Sequence, residues 1–186
     1  MDKSYKNELH RSFLLEGLPE PLTRASSHIQ IFDNYIANTR MRLRSIRDPQ
    51  TRAWTWILQQ RFPAVEDDLT VLKIGEIYLN EAEHQRFELF EGAEIRKNRY
   101  FHEFDAKMFA FDVFIGELWG LNMARVEFEN IDDLRKFEPP RFVFSEVTNQ
   151  SFFSGENLVT KKFADVQAEV RNLGIVTANL GDFADE

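Results

Sequence analysis

The sequence predicts a mainly β protein of the α+β class. Short runs with a two-residue alternation of polar and apolar side chains recur along most of the chain, and 18 phenylalanines enrich it in a residue that suits sheets. Helical spacing is confined to a few segments near residues 80–90, 130–137 and 158–173.

Length and composition set the frame. At 186 residues the chain can bury a sizeable core as a single domain over 1–186. A net charge of -8 and a pI near 5.1 disfavour nonspecific binding to nucleic acid polymers or to anionic membranes, so an anionic ligand would need a local basic pocket. With no cysteine, disulfides, thiolate catalysis and cysteine metal sites are excluded. No apolar run reaches about 18 residues and the polar start MDKSYKNELH lacks a signal-peptide core, which reads as a soluble, cytoplasmic protein.

In order, residues 7–15 alternate Glu8, His10 and Ser12 with Leu9, Arg11 and Phe13, a strand ended by the turn residues Gly17 and Pro19. His28 to Ile36 reads as a second strand. Residues 39–46 hold the clearest alternation, with Arg40, Arg42 and Arg44 opposite Met41, Leu43 and Ser45. Thr51 to Arg61 reads as a strand, 61–68 as a solvated loop with Pro63 and three acids, and Leu69 to Leu79 as a further strand. Asn80 followed by Glu83 signals a capped helix, on which His84 is expected to be exposed. Lys97 and Arg99 share a strand face, Phe101 to Lys107 reads as a turn, and Asp112, on the face opposite Phe109 and Phe111, is costly to bury without an arginine, a lysine or a metal beside it. Arg125 and Glu127 share a face opposite Val126 and Phe128. Asn130 caps a short helix broken by Pro139-Pro140, and Phe142 to Val147 reads as the last strand. Leu158 to Leu173 reads as one C-terminal helix, and the tail at about 175–186 as partly disordered.

A charged strand face ordinarily meets water. Three like charges spaced about 7 Å apart also suit a phosphate ladder, because each guanidinium can donate two parallel hydrogen bonds and stays ionised when enclosed. The order of the words favours the second reading. IRKNRY, FDVFIGELWGL, ARVEFEN and Glu146-Val147-Thr148 resemble the K-x-R-Y, I-D-V-F-x-G-x-L-x-G-L, E-V-E-F and E-V-T words of the CYTH, or triphosphate tunnel metalloenzyme, family. The Arg42-x-Arg44 strand is similar to its R-x-R strand.

The resemblance implies an antiparallel β-barrel tunnel with its charged wall inside, helices packed outside, and a C-terminal helix closing or plugging one end. It implies phosphate binding by Arg42, Arg44, Lys97 and Arg99. Metal candidates are Glu8, His10, Glu76, Asp112, Glu127 and Glu146, and Glu8, Glu127 and Glu146 are the catalytic candidates. The ion would be Mg²⁺ or Mn²⁺, with Zn²⁺ less favoured. The partner would be a small anion: triphosphate, polyphosphate or a nucleotide.

Several positions depart from the family words. The opening E-x-E-x-K keeps Glu8 alone, with His10 and Ser12 in the other two places; Gln59 stands near a lysine; and Gln150, Phe152, Phe153 and Gly155 replace D-x-R-Y-x-N. Two missing lysines would cost about 3–6 kcal/mol of phosphate binding. Arg125 stands at the first Glu of E-V-E-F, where a cation about 5 Å from Mg²⁺ repels it by roughly 6–7 kcal/mol at an effective dielectric near 20. Arg125 could instead contact phosphate. These substitutions favour a tunnel that binds triphosphate with weakened or lost hydrolysis over an active metal-dependent triphosphatase or adenylate cyclase-like enzyme. A barrel for an apolar ligand is a third reading, and it requires apolar residues where Arg42, Arg44 and Glu127 are placed.

Overall fold

A computed structural model describes residues 5–90 and 92–174; the expected tail at about 175–186 lies outside the described residues. The strands are β1 (Lys6–Leu15), β2 (His28–Ile36), β3 (Met41–Arg47), β4 (Trp54–Val65), β5 (Asp68–Leu79), β6 (Gly92–Phe104), β7 (Lys107–Ile115), β8 (Asn122–Phe128) and the two-residue β9 (Ser145–Glu146). The helices are α1 (Glu81–Phe87), α2 (Ile131–Lys136), α3 (Gly155–Leu158) and α4 (Phe163–Asn172).

Every pairing is antiparallel, in the order β5-β4-β3-β2-β6-β7-β8-β1-β9. The sheet closes because β1 has two neighbours besides β8: Lys6 to Leu9 pair with β5, and Phe13 and Leu14 pair with β9. Strands β1 to β8 thereby form a closed barrel. Closure leaves β5 and β1 without free edges along their paired residues.

Alternation along the strands divides the apolar residues between two cores. On the outer face Phe13, Phe109, Phe111, Val126 and Phe128 pack with Leu134 of α2 and with Phe137 and Phe142 beyond it. This is where much of the phenylalanine goes, with ring centroids such as Phe109–Phe111 and Phe128–Phe137 at 5.8 and 5.2 Å. On the inner face Leu14, Ile95 and Phe114 pack with Phe153, Leu158 of α3 and Val166 and Val170 of α4, so the C-terminal helices fill one end of the barrel. Gly155 marks how close this packing is, since a Cβ there would lie 1.8 Å from the Tyr35 hydroxyl.

Four local expectations are revised. Strand β4 runs on through the expected 61–68 loop to Val65, accommodating Pro63 beside a register shift before a turn in which Asp67 takes a positive φ of 63°. Strand β6 likewise continues to Phe104, and the turn shrinks to Asp105 and Ala106. The C-terminal helix is two helices, α3 and α4. His84 is buried rather than exposed, because α1 lays it against Trp56 with its Nε2 3.1 Å from Ser45 Oγ. The capping box on Asn80 and Glu83 is present as expected.

Candidate functional site

A cavity of about 170 Å³ occupies the barrel interior. Seven basic side chains line it (Arg40, Arg42, Arg44, Arg61, Lys97, Arg99 and Arg125) against three acidic ones, Asp33, Asp112 and Glu156. In a chain of net charge -8 this is the inverse of the average surface.

Cross-strand register builds one wall. Asp33 pairs with Arg44 and Tyr35 with Arg42 across β2 and β3, placing all four on the same face. Arg44 donates to Asp33 through Nε at 2.6 Å and Nη2 at 2.8 Å, and Arg42 Nη1 reaches the same carboxylate at 3.3 Å and the Tyr35 hydroxyl at 3.0 Å. Burial alone would raise the Asp33 carboxyl, but the two guanidiniums hold it well below the usual carboxylate range; in return Asp33 holds Arg44 above its ordinary value despite burial. Arg99 and Asp112 face each other across β6 and β7 and form a second bidentate pair, at 2.6 and 2.8 Å, while Lys97 Nζ donates to Asp112 at 2.7 Å. Asp112 is also held low against the pull of burial, by Arg99 and Lys97. For Lys97 desolvation wins over Asp112, and its ammonium is pulled down to about 8.

The other wall is built on β1, β4 and β8. Glu8, His10 and Ser12 all point inward. Arg61 Nη2 donates to Glu8 Oε1 at 2.7 Å, and Arg125 forms an ion pair with the same oxygen. One carboxylate thus serves two buried guanidiniums. Burial and the neighbouring arginines 42 and 44 pull Arg61 down to about 9, and burial pulls Arg125 down to about 10, although Glu127 opposes it. Neither side chain can shed its proton at pH 7, so these shifts express a cost of keeping the charge enclosed. His10 is pushed to about 3 by burial first and Arg61 second, which makes it a neutral imidazole. Its Nδ1, together with Arg125 Nε, is buried without a hydrogen-bond partner. Ser154 Oγ, on the plug that closes this cavity, is likewise unpartnered.

The structure therefore brings Arg42, Arg44, Lys97, Arg99, Arg125, Asp112, Glu8 and His10 around one interior. Glu127 shares the His10 face but is exposed, with Arg125 Nε 3.7 Å away. Glu76 also sits on the inner face, held by Lys6 Nζ at 3.3 Å and by the Gln59 amide. Glu146 is placed differently from the expectation. Its register partner is Phe13, on the outer face, and it accepts from Arg11 Nε at 2.8 Å.

Two interior residues are absent from the sequence reading. Asp33 continues the alternation of Ile29, Ile31 and Tyr35 opposite the arginine strand, and mutual repulsion among those arginines was the signal that a counter-ion must face them. Arg61 lies two residues beyond Gln59 on the same face, a cation near the place of the missing lysine, hidden because the sequence reads as a strand that ends at this residue. Gln59 itself accepts from Arg42 Nε at 2.7 Å.

Comparison with solved structures places this architecture. Over 83% of this chain and 99% of the other, it superposes on a crystal structure described as the hypothetical protein NE1496 with a TM-score of 0.57 and 22% identity. A second structure, described as the inorganic triphosphatase NE1496, matches 82% of this chain and 97% of that one with a TM-score of 0.56 and 22% identity. The chain shares with these structures the fold of a closed antiparallel β-barrel. No protein-family model matches the sequence, and no curated protein matches it at a significant level. Among the described residues no helix is long and apolar enough to cross a membrane.

The resemblance also implies a divalent ion, and the tunnel's donors do not fit one. Mg²⁺ and Mn²⁺ need several oxygen ligands in near-octahedral array. Here Glu8 is shared by Arg61 and Arg125, Asp112 is enclosed by Arg99 and Lys97, and Glu76 is held by Lys6 and Gln59. Glu146 is on the other side of the wall. No grouping of three or more His, Asp or Glu side chains able to hold a metal occurs among the described residues.

Proposed function

We propose that the tunnel binds the triphosphate group of a small anion: inorganic triphosphate, a short polyphosphate or a nucleoside triphosphate. Metal-dependent hydrolysis is weakened or lost. One observation carries the reading: a buried wall of guanidiniums with too few carboxylates, on which Arg125 Nε and His10 Nδ1 lack partners. Buried polar groups are nearly always satisfied, and phosphate oxygens are acceptors of the right charge for a guanidinium. A donated hydrogen bond to such an oxygen contributes about 1.5–3 kcal/mol, and bidentate geometry adds direction. The fold shared with a structure described as an inorganic triphosphatase supports the same ligand class.

The apolar-ligand reading loses its basis, since Arg42 and Arg44 face the cavity. Weak turnover follows from the carboxylates: Asp33, Glu8 and Asp112 are each engaged by cations, so none of the three is free to activate water. Calorimetric titration with sodium tripolyphosphate tests the binding, and release of orthophosphate in the same samples tests the turnover. Saturable binding with little released phosphate is the expected result. Absence of binding removes the reading, and rapid hydrolysis corrects its second half.

A further inference from the structure

We infer that this tunnel binds its triphosphate without a divalent ion, the guanidinium of Arg125 taking the place in the charge balance that a bound cation would otherwise hold. The inference rests on the reading of the tunnel as a triphosphate site, and three features of the Glu8 wall lead to it. First, the Glu8 carboxylate is already engaged by Arg61 and Arg125, so a divalent ion approaching it would have to displace two cations or sit beside them. Two positive charges next to the ion repel it by several kcal/mol even at a protein-like dielectric. Second, cross-strand register fixes Arg125 opposite Ser12, with Glu127 opposite His10, so the position is set by the β1–β8 ladder and not by a flexible loop. Third, a guanidinium Nε and an imidazole Nδ1 on this wall are buried without a hydrogen-bond partner. The guanidinium is a donor only, and a phosphate oxygen completes it where a metal cannot.

Charge arithmetic points the same way. Seven basic side chains line the cavity against Asp33, Asp112 and Glu156, with Glu8 a fourth acid on the same wall, and this surplus of cations offsets much of the ligand's charge from the chain itself. Divalent ions then act on the ligand in solution: by sequestering tripolyphosphate they compete with the protein.

The test is calorimetry of the full chain with sodium tripolyphosphate, once in EDTA and once in excess Mg²⁺ or Mn²⁺. Binding should be tightest in EDTA and weaken as the metal sequesters ligand, and the electron paramagnetic resonance spectrum of Mn²⁺ should show no protein-bound species. Arg125→Glu should lose at least about tenfold in affinity in EDTA and regain it with Mn²⁺. Should that variant fail to fold, Arg125→Met should lose affinity in EDTA with no recovery in Mn²⁺. Wild-type binding that appears only with Mg²⁺ or Mn²⁺, or tightens tenfold with either, overturns this inference and leaves the triphosphate site standing. Absence of binding in both buffers removes the site and the inference together.

Discussion

The two walls of the tunnel carry similar charges and differ in how they are satisfied. On the β2–β3–β6–β7 wall, Asp33 and Asp112 each hold two cations through directed hydrogen bonds of 2.6–3.3 Å. On the β1–β8 wall one carboxylate, Glu8, is shared by Arg61 and Arg125, and neighbouring donors go unpaired. The cations facing the cavity from the first wall are paired in the free protein, while on the second Arg125 Nε and His10 Nδ1 keep unmet hydrogen-bonding capacity. Under the proposed function, unmet hydrogen-bonding capacity and not charge alone is what would locate the ligand.

This contrast predicts that removing a carboxylate from the paired wall harms stability, while removing a cation from either wall harms binding. The largest effect should come from Asp33→Ala, which strands Arg42 and Arg44 in the interior. Urea denaturation should show a loss of about 3–5 kcal/mol, partly recovered by saturating tripolyphosphate, whose charge replaces the carboxylate. Paired replacement of Arg42 and Arg44 by Ala should weaken tripolyphosphate binding by about 3 kcal/mol or more, and an unchanged affinity would remove the site from that wall. Arg125→Met should cost about 1.5–3 kcal/mol of tripolyphosphate affinity in calorimetry and leave the urea midpoint unchanged or raised, because a buried charge with poor partners contributes little to folding.

Lys97 adds a pH test. Its pKa falls from 10.5 in the unfolded chain to about 8 in the fold, so between those values the unfolded state binds more protons and the stability of the free protein rises with pH. Binding has the opposite sign. An anion favours the charged ammonium, so affinity should fall as pH climbs above about 8, with proton uptake on binding visible as buffer-dependent heat. Lys97→Met should flatten that profile. The smallest effect belongs to Glu146→Gln. Facing outward onto Arg11, it should leave tripolyphosphate affinity within about 0.5 kcal/mol of wild type, and a larger loss would mean that β9 turns inward when ligand is bound.

Most of the architecture was legible because alternation is a local property. The faces of Arg42, Arg44, Lys97, Arg99, Asp112 and Arg125 follow from a two-residue period once a strand is recognised. What escaped depended on partners distant in sequence. Glu146 was assigned inward by the word it belongs to, yet β9 is two residues long and its register against Phe13 turns the side chain outward. His84 was expected in water because its own helix gives no sign of Trp56 and Ser45, which approach from β3 and β4. Arg61 was lost with the end of β4, since Pro63 and the acids after it carry the composition of a loop while the β4–β5 hairpin absorbs them at a bulge. Such tertiary overrides leave no trace in a single strand's pattern.

The most direct test of the account is a crystal structure of the chain with tripolyphosphate. Phosphate oxygens should lie about 2.7–3.1 Å from Arg125 Nε, with His10 Nδ1 in contact and Asp33 still bound to Arg42 and Arg44. A tripolyphosphate that leaves Arg125 Nε and His10 Nδ1 unpartnered and binds elsewhere, or one that reaches Glu8 only through a bridging metal, would contradict it.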